Sequence, residues 1–174
     1  AGGDPNAHCD LSGAGSLDGA IDGEAGTDTL QGDNIDGVLI TTLDANGADG
    51  TEASASGDFD SSSIVRLARS AGTPTGLAAA STWGLDGTPT YTSGGFSVGF
   101  SGFATLQGGS ETDAFNVTSA SIFNLNGGSQ NDTFDLSGAG SLDGAIDGEA
   151  GTDTLQGDNI DGVLITTLDA NGAD

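Results

Sequence analysis

GGSETDAFNV at Gly108–Val117, GGSQNDTFDL at Gly127–Leu136 and DGEAGTDTLQ at Asp147–Gln156 are three versions of one phrase. Their matching aspartates, Asp113, Asp132 and Asp153, follow one another at 19 and 21 residues. After each aspartate the chain alternates: Phe115 and Val117 flank Asn116, and Phe134 and Leu136 flank Asp135. A period of two marks a strand with one buried face. A second short strand is expected about six residues on, carrying Phe123 and Leu125 in one copy and Leu142 and Ile146 in the next. Glycines and small polar residues fill the corners between them. Two strands and two turns every twenty residues or so describe one coil of a parallel β-solenoid, its coils stacked about 4.8 Å apart. The fold class expected is therefore all-β. Phe115, Val117, Phe123, Leu125, Phe134, Leu136, Leu142, Ile146, Leu155 and Ile165 are expected to form the buried rows. The alternative is an antiparallel sandwich, which gives no reason for the phrase to return in phase. No segment reads as helix: Ile64–Ser81, the best candidate, is interrupted by Gly72, Pro74 and Gly76, and is expected to be a strand followed by a loop or lateral insertion.

A longer period encloses the short one. Asp10–Asp49 recurs without change as Asp135–Asp174, an offset of 125. The opening AGGDPNAHC lies opposite NGGSQNDTF at Asn126–Phe134 as a diverged copy. Residues 1–125 are thus expected to be one full solenoid unit and 126–174 the start of a second, from a longer array. Copied units suit a fold in which each coil meets only its neighbours.

The 174 residues include 32 Gly, 26 acidic residues, no Lys and two Arg, for a formal charge of −24. Affinity for phosphate needs basic side chains, so nucleic acid is excluded as a partner, and anionic membrane surfaces fall to the same argument. The apolar runs stop at four or five residues, far short of a bilayer span, so membrane insertion is not expected. None of these residues reads as an export signal, so an exported chain is expected to carry its address elsewhere. Divalent cations are the natural counter-ions for so many carboxylates. The blander account is that acid keeps an extracellular protein soluble. Cys9 is the single cysteine, which rules out an intrachain disulfide. In the 125-residue register it takes the place of Phe134, and a small buried hydrophobe is expected there.

GGSQNDTFD at Gly127–Asp135 resembles the glycine-rich nonapeptide GGxGxDxUx of haemolysin-type (RTX) calcium-binding repeats, with GGSETDAFN and GEAGTDTLQ as looser versions. The string from Thr82-Trp83 through SGFATLQGGSETDAFNV is similar to units of very large bacterial surface adhesins. Together the likenesses cover about two thirds of the unit. The resemblance implies Ca²⁺ held between coils by turn carbonyls and the motif aspartate. The candidate metal residues are then Asp28, Asp113, Asp132, Asp153, Gly127, Gly128, Glu24 and Glu149. Calcium takes six to eight oxygens, and glycine lets carbonyls converge. The sequence departs from the family pattern where Gln130 and Glu111 replace a motif glycine, where Glu24 and Glu149 replace the second glycine, and where Ala7 replaces an aspartate. Motifs also come once per coil. The other reading of the aspartates is that each caps its own turn, accepting backbone N–H bonds.

Catalysis finds little support. His8 is the only histidine, and it is absent from the second copy, so triad chemistry lacks its base. Carboxylate pairs are guaranteed by chance among so many acids, and identical copies argue against a single irregular site. No enzyme activity is expected. Trp83 and Tyr91, in the least repetitive segment, are the candidate ligand-binding residues, either as a sugar-stacking platform or as core covers. The chain therefore reads as an extracellular or cell-surface structural protein, a fibre, stalk, matrix component or adhesin extender. Copies of itself, stacked head to tail, are its expected partners. The runner-up is a calcium-responsive module that binds carbohydrate or another cell through the segment from Trp83 to Phe100.

Overall fold

The structure, a computed structural model, describes residues 8–10, 21–22, 28–32, 37–44, 47–52, 58–60, 64–68 and 72–168. Among them every regular element is a strand. In chain order these are β1 (His8–Asp10), β2 (Ile21–Asp22), β3 (Asp28–Gln31), β4 (Gly37–Asp44), β5 (Gly47–Glu52), β6 (Asp58–Asp60), β7 (Ile64–Ala68), β8 (Thr73–Thr75), β9 (Ser81–Leu85) and β10 (Thr90–Ser93). They continue as β11 (Phe96–Ser101), β12 (Thr105–Gln107), β13 (Asp113–Val117), β14 (Ala120–Ser121), β15 (Asn124–Asn126), β16 (Thr133–Leu136), β17 (Ser141–Leu142), β18 (Ala145–Asp147), β19 (Thr154–Gly157) and β20 (Leu164–Thr167).

The chain is a parallel β-solenoid. One sheet runs β1-β3-β7-β11-β10-β9-β13-β16-β19, and the opposite sheet runs β2-β6-β5-β4-β8-β12-β15-β18-β20. Strands 19 and 21 residues apart lie side by side, because the backbone N–H and C=O groups of each coil need partners and the next coil offers them in phase. The register carries the period of two into columns. Trp83, Phe115, Phe134 and Leu155 fall in line on one sheet, and Leu106, Leu125, Ile146 and Ile165 on the other. The rings of the first column lie flat on one another, Trp83 to Phe115 at 5.9 Å and 1°, Phe115 to Phe134 at 5.0 Å and 11°. Offset stacking adds to area burial.

Two departures from the expected coil stand out. The later coils have three strands, since β14 and β17 form a third face of their own. Leu142 therefore sits on that face and Ile146 on another. The middle of the chain also advances unevenly. In one sheet β9, β10 and β11 form an antiparallel meander, with only its outer strands parallel to β13 and β7. In the other sheet β4, β5 and β6 do the same between β8 and β2. In each case the chain skips two places and then folds back to fill the gap.

Of the expected buried rows, Phe115, Val117, Phe123, Leu125, Phe134, Leu136 and Ile146 are buried. Leu142 and Leu155 are half-buried against the core, and Ile165 is 42% exposed. The repeat explains these exceptions. Leu30 and Ile40, the same residues one unit earlier, are 0% and 2% exposed. There β7 pairs along β3, and β5 and β8 flank β4. In the second copy β19 and β20 have a neighbour on one side only among the described residues. Identical text is buried where another coil covers it and exposed where none does. The copies also differ in pairing: Ile146 lies beside Ile165, but Ile21 lies beside Phe59 of β6.

Candidate functional site

The motif aspartates form a ladder inside one edge of the stack. Asp113 opens β13, Asp132 and Asp153 stand one residue before β16 and β19, and the three are 2%, 1% and 9% exposed. Asp28, the first-copy counterpart of Asp153, opens β3 and is buried as well. Each carboxylate reaches across to the coil before it. Asp132 Oδ1 accepts from the Asp113 N–H at 2.7 Å, and Asp153 Oδ1 accepts from the Asp132 N–H at 2.8 Å. Asp113 ends the series differently: its Oδ2 accepts from the Gly109 N–H at 2.7 Å and its Oδ1 from the Ser81 hydroxyl. Of Asp113, Asp132 and Asp153, only Asp113 accepts from its own turn. Asp132 and Asp153 staple neighbouring coils.

The first glycine of each phrase exists for this carboxylate. A Cβ on Gly127 would strike Asp132 Oδ2 and the Gly148 carbonyl, and one on Gly148 would strike Asp153 Oδ2. In the last two phrases the second and fourth positions show something else, a positive φ that neither Gly109 nor Glu111 shares in the first. Gly128 takes φ 106°, but Glu149 and Gln130 hold φ 61° and 71° with full side chains. These are the two places where the sequence departs from the glycine pattern in its last two phrases. Such a conformation costs an L-residue roughly 1–2 kcal/mol.

Burial sets the ladder carboxylates against one another. Burial pushes the Asp132 carboxyl up to about 7, with Asp113, Asp153 and Glu149 adding to the rise and the Asp113 N–H opposing it. Burial raises Asp113 too, against the Ser81 and Gly109 hydrogen bonds. Asp132 Oδ2 and Asp153 Oδ2 are buried with no hydrogen-bond donor.

These atoms do not assemble a calcium site as they stand. Among the described residues no three acidic, His or Cys side chains converge on one point. The turn carbonyls of Gly109 and Gly128 already accept from Ser129 and Ala150 in the next coil. Calcium needs six to eight oxygens around it. Glu149 lies off the ladder, accepting from Gln107 Nε2 at 2.8 Å. Glu24 lies outside the described residues.

Trp83 and Tyr91 are both 0% exposed, so neither offers a face to a sugar. Trp83 heads the ring column, and Tyr91 packs on it at 4.5 Å from the opposing strand of the meander. The Tyr91 hydroxyl accepts from the Leu77 N–H at 2.7 Å, pinning the loop after β8. A second polar file escaped the sequence reading. Gln107 and Asn126, each just before a Gly-Gly pair, join through Asn126 Nδ2 and Gln107 Oε1 at 2.9 Å, in line with Asp147. The signal was there, in LQGG, LNGG and IDGE at matched places. No helix among the described residues is long and apolar enough to cross a membrane. No protein-family model, no curated protein and no solved structure matches this chain.

Proposed function

We propose that this chain is a structural spacer, a stretch of an extracellular or cell-surface fibre, stalk, matrix or adhesin extender, and not an enzyme. One observation carries the reading: side chains of the kind that would make a recognition cleft are spent on the continuity of the stack. Trp83 and Tyr91, in the least repetitive segment, are buried, with Trp83 in column with the rings of the regular coils. The polar ladders likewise run along the axis, from coil to coil.

The test is length. From β1 to its counterpart β16 the first sheet advances by seven strands, so each 125-residue unit adds about 34 Å of rod at a strand spacing near 4.8 Å. X-ray scattering from this chain and from one lengthened by a further unit should differ by that increment in maximum dimension, with an unchanged cross-section. A lengthened chain that merely grows as a flexible string would refute the spacer. Calcium enters the proposal as counter-ion to the acidic surface and not as an ion wrapped by the turns.

A further inference from the structure

We propose that Ser81 and Asp113 become joined by an ester bond that the folded chain makes for itself, tying the β9–β11 meander covalently to the regular coils. Ser81 opens β9 and pairs with Asp113 in parallel register. It therefore occupies the rung of the aspartate ladder before Asp113, and at that rung the sequence supplies a hydroxyl. The exchange changes the chemistry. Asp132 and Asp153 each meet a backbone N–H on the preceding coil, which can bond to a carboxyl but is a poor nucleophile. Asp113 meets an alcohol: Ser81 Oγ lies directly against its Oδ1.

The surroundings of this pair favour condensation. Ser81 and Asp113 are 8% and 2% exposed, so bulk water, which would reverse the reaction, is kept from the bond. Burial raises the Asp113 carboxyl, and the neutral acid is the form a hydroxyl can attack, since a carboxylate repels the nucleophile and lacks a leaving group. The Gly109 N–H donates to Asp113 Oδ2 at 2.7 Å, where it would hold the charge of a tetrahedral intermediate as an oxyanion-hole donor does. On the other side, the Tyr91 hydroxyl accepts the Leu77 N–H and hydrogen-bonds to Ser81, placed to relay the proton. Groups held in contact react as if at effective concentrations that reach about 10⁵ M or more. In the step itself, Ser81 Oγ adds to Asp113 Cγ and charge gathers on Oδ2. The Cγ–Oδ1 bond then breaks, and Oδ1 leaves as water with the acid's own proton and the one from Ser81. One water is lost, nothing is oxidised or reduced, and no co-reactant enters.

Mass spectrometry of the intact, folded protein supplies the test. The expected mass falls short of the sequence mass by one water, and proteolytic fragments should include a branched peptide that joins the Ser81 and Asp113 segments. Ser81→Ala, which keeps the carboxyl and removes the nucleophile, should restore the full mass, and Ser81→Thr should again lose one water. Hydroxylamine, which opens esters, should split the branched peptide in two. The full sequence mass for the folded, unaltered protein overturns the ester, and that measurement decides alone should Ser81→Ala fail to fold. A missing water that persists in Ser81→Ala overturns it as well, because it then belongs to a cyclic imide at an Asp-Gly step such as Asp143-Gly144. Neither result touches the spacer reading, which is decided by the dimensions of lengthened chains.

Discussion

Asp132 concentrates the chemistry of this fold in one side chain. Unfolded, it titrates near 3.8; folded, burial and its acidic neighbours push it up to about 7. Between those values the folded chain holds a proton that the unfolded chain releases, so acid favours the fold. The stabilisation is complete below pH 3.8, declines as pH rises, and is exhausted above about 7. Thermal melts should therefore show a higher Tm near pH 5 than near pH 8. Asp132→Asn should flatten that slope, because Oδ1 keeps the Asp113 N–H while the charge is gone. A slope unchanged by the substitution would move the pH dependence to other acids. Gln130 offers a second test. Its left-handed backbone suits glycine, so Gln130→Gly should raise stability by about 0.5–1 kcal/mol in denaturant titrations. The aspartates themselves were legible in the sequence, because each stands in phase with a buried residue two places on. Their partners were not legible. A carboxylate that accepts from the N–H of another coil leaves no local trace, and the sequence supported turn capping or calcium equally well.

Among the elements, the regular coils were legible and the meanders were not. Alternation fixed β13, β16 and their neighbours, and the 19- and 21-residue steps fixed their parallel pairing. For β9–β11 the same alternation exists, but nothing local says whether a strand continues the winding or turns back. The segment whose Trp83 and Tyr91 could have been a sugar-stacking platform or core covers is three strands within the sheet, with both of those rings buried. The repeat makes the value of cover measurable. Phe134 is fully buried between Phe115 and Leu155, so Phe134→Ala should cost roughly 3–5 kcal/mol. Leu155→Ala, at the half-buried end of the same column, should cost distinctly less, and less than Leu30→Ala at the covered copy of the same site. Equal losses at Leu30 and Leu155 in urea unfolding would show that stacking adds nothing to this column.

For the whole molecule, charge and shape pull against each other. A chain carrying −24 gains from any ion that gathers at its surface, and divalent ions gather most strongly. Calcium should raise the Tm above that in sodium at matched ionic strength. Because Asp132 is committed to its ladder bond, the gain should survive Asp132→Asn. A gain lost with that substitution would put the ion in the turns and restore the wrapped-calcium arrangement that the motif implies.

The two meanders give the solenoid a sewing pattern. A plain solenoid is a chain stitch: released at one end, it runs out loop by loop. Here the thread skips two places and doubles back to fill them, first through β4, β5 and β6 and then through β9, β10 and β11, which is a backstitch. A tug on the β20 end frees the last coils singly until it reaches β11, where strands laid down out of order hold one another. Every 125 residues the seam would carry such a knot, so a tear begun in one unit would halt before the next.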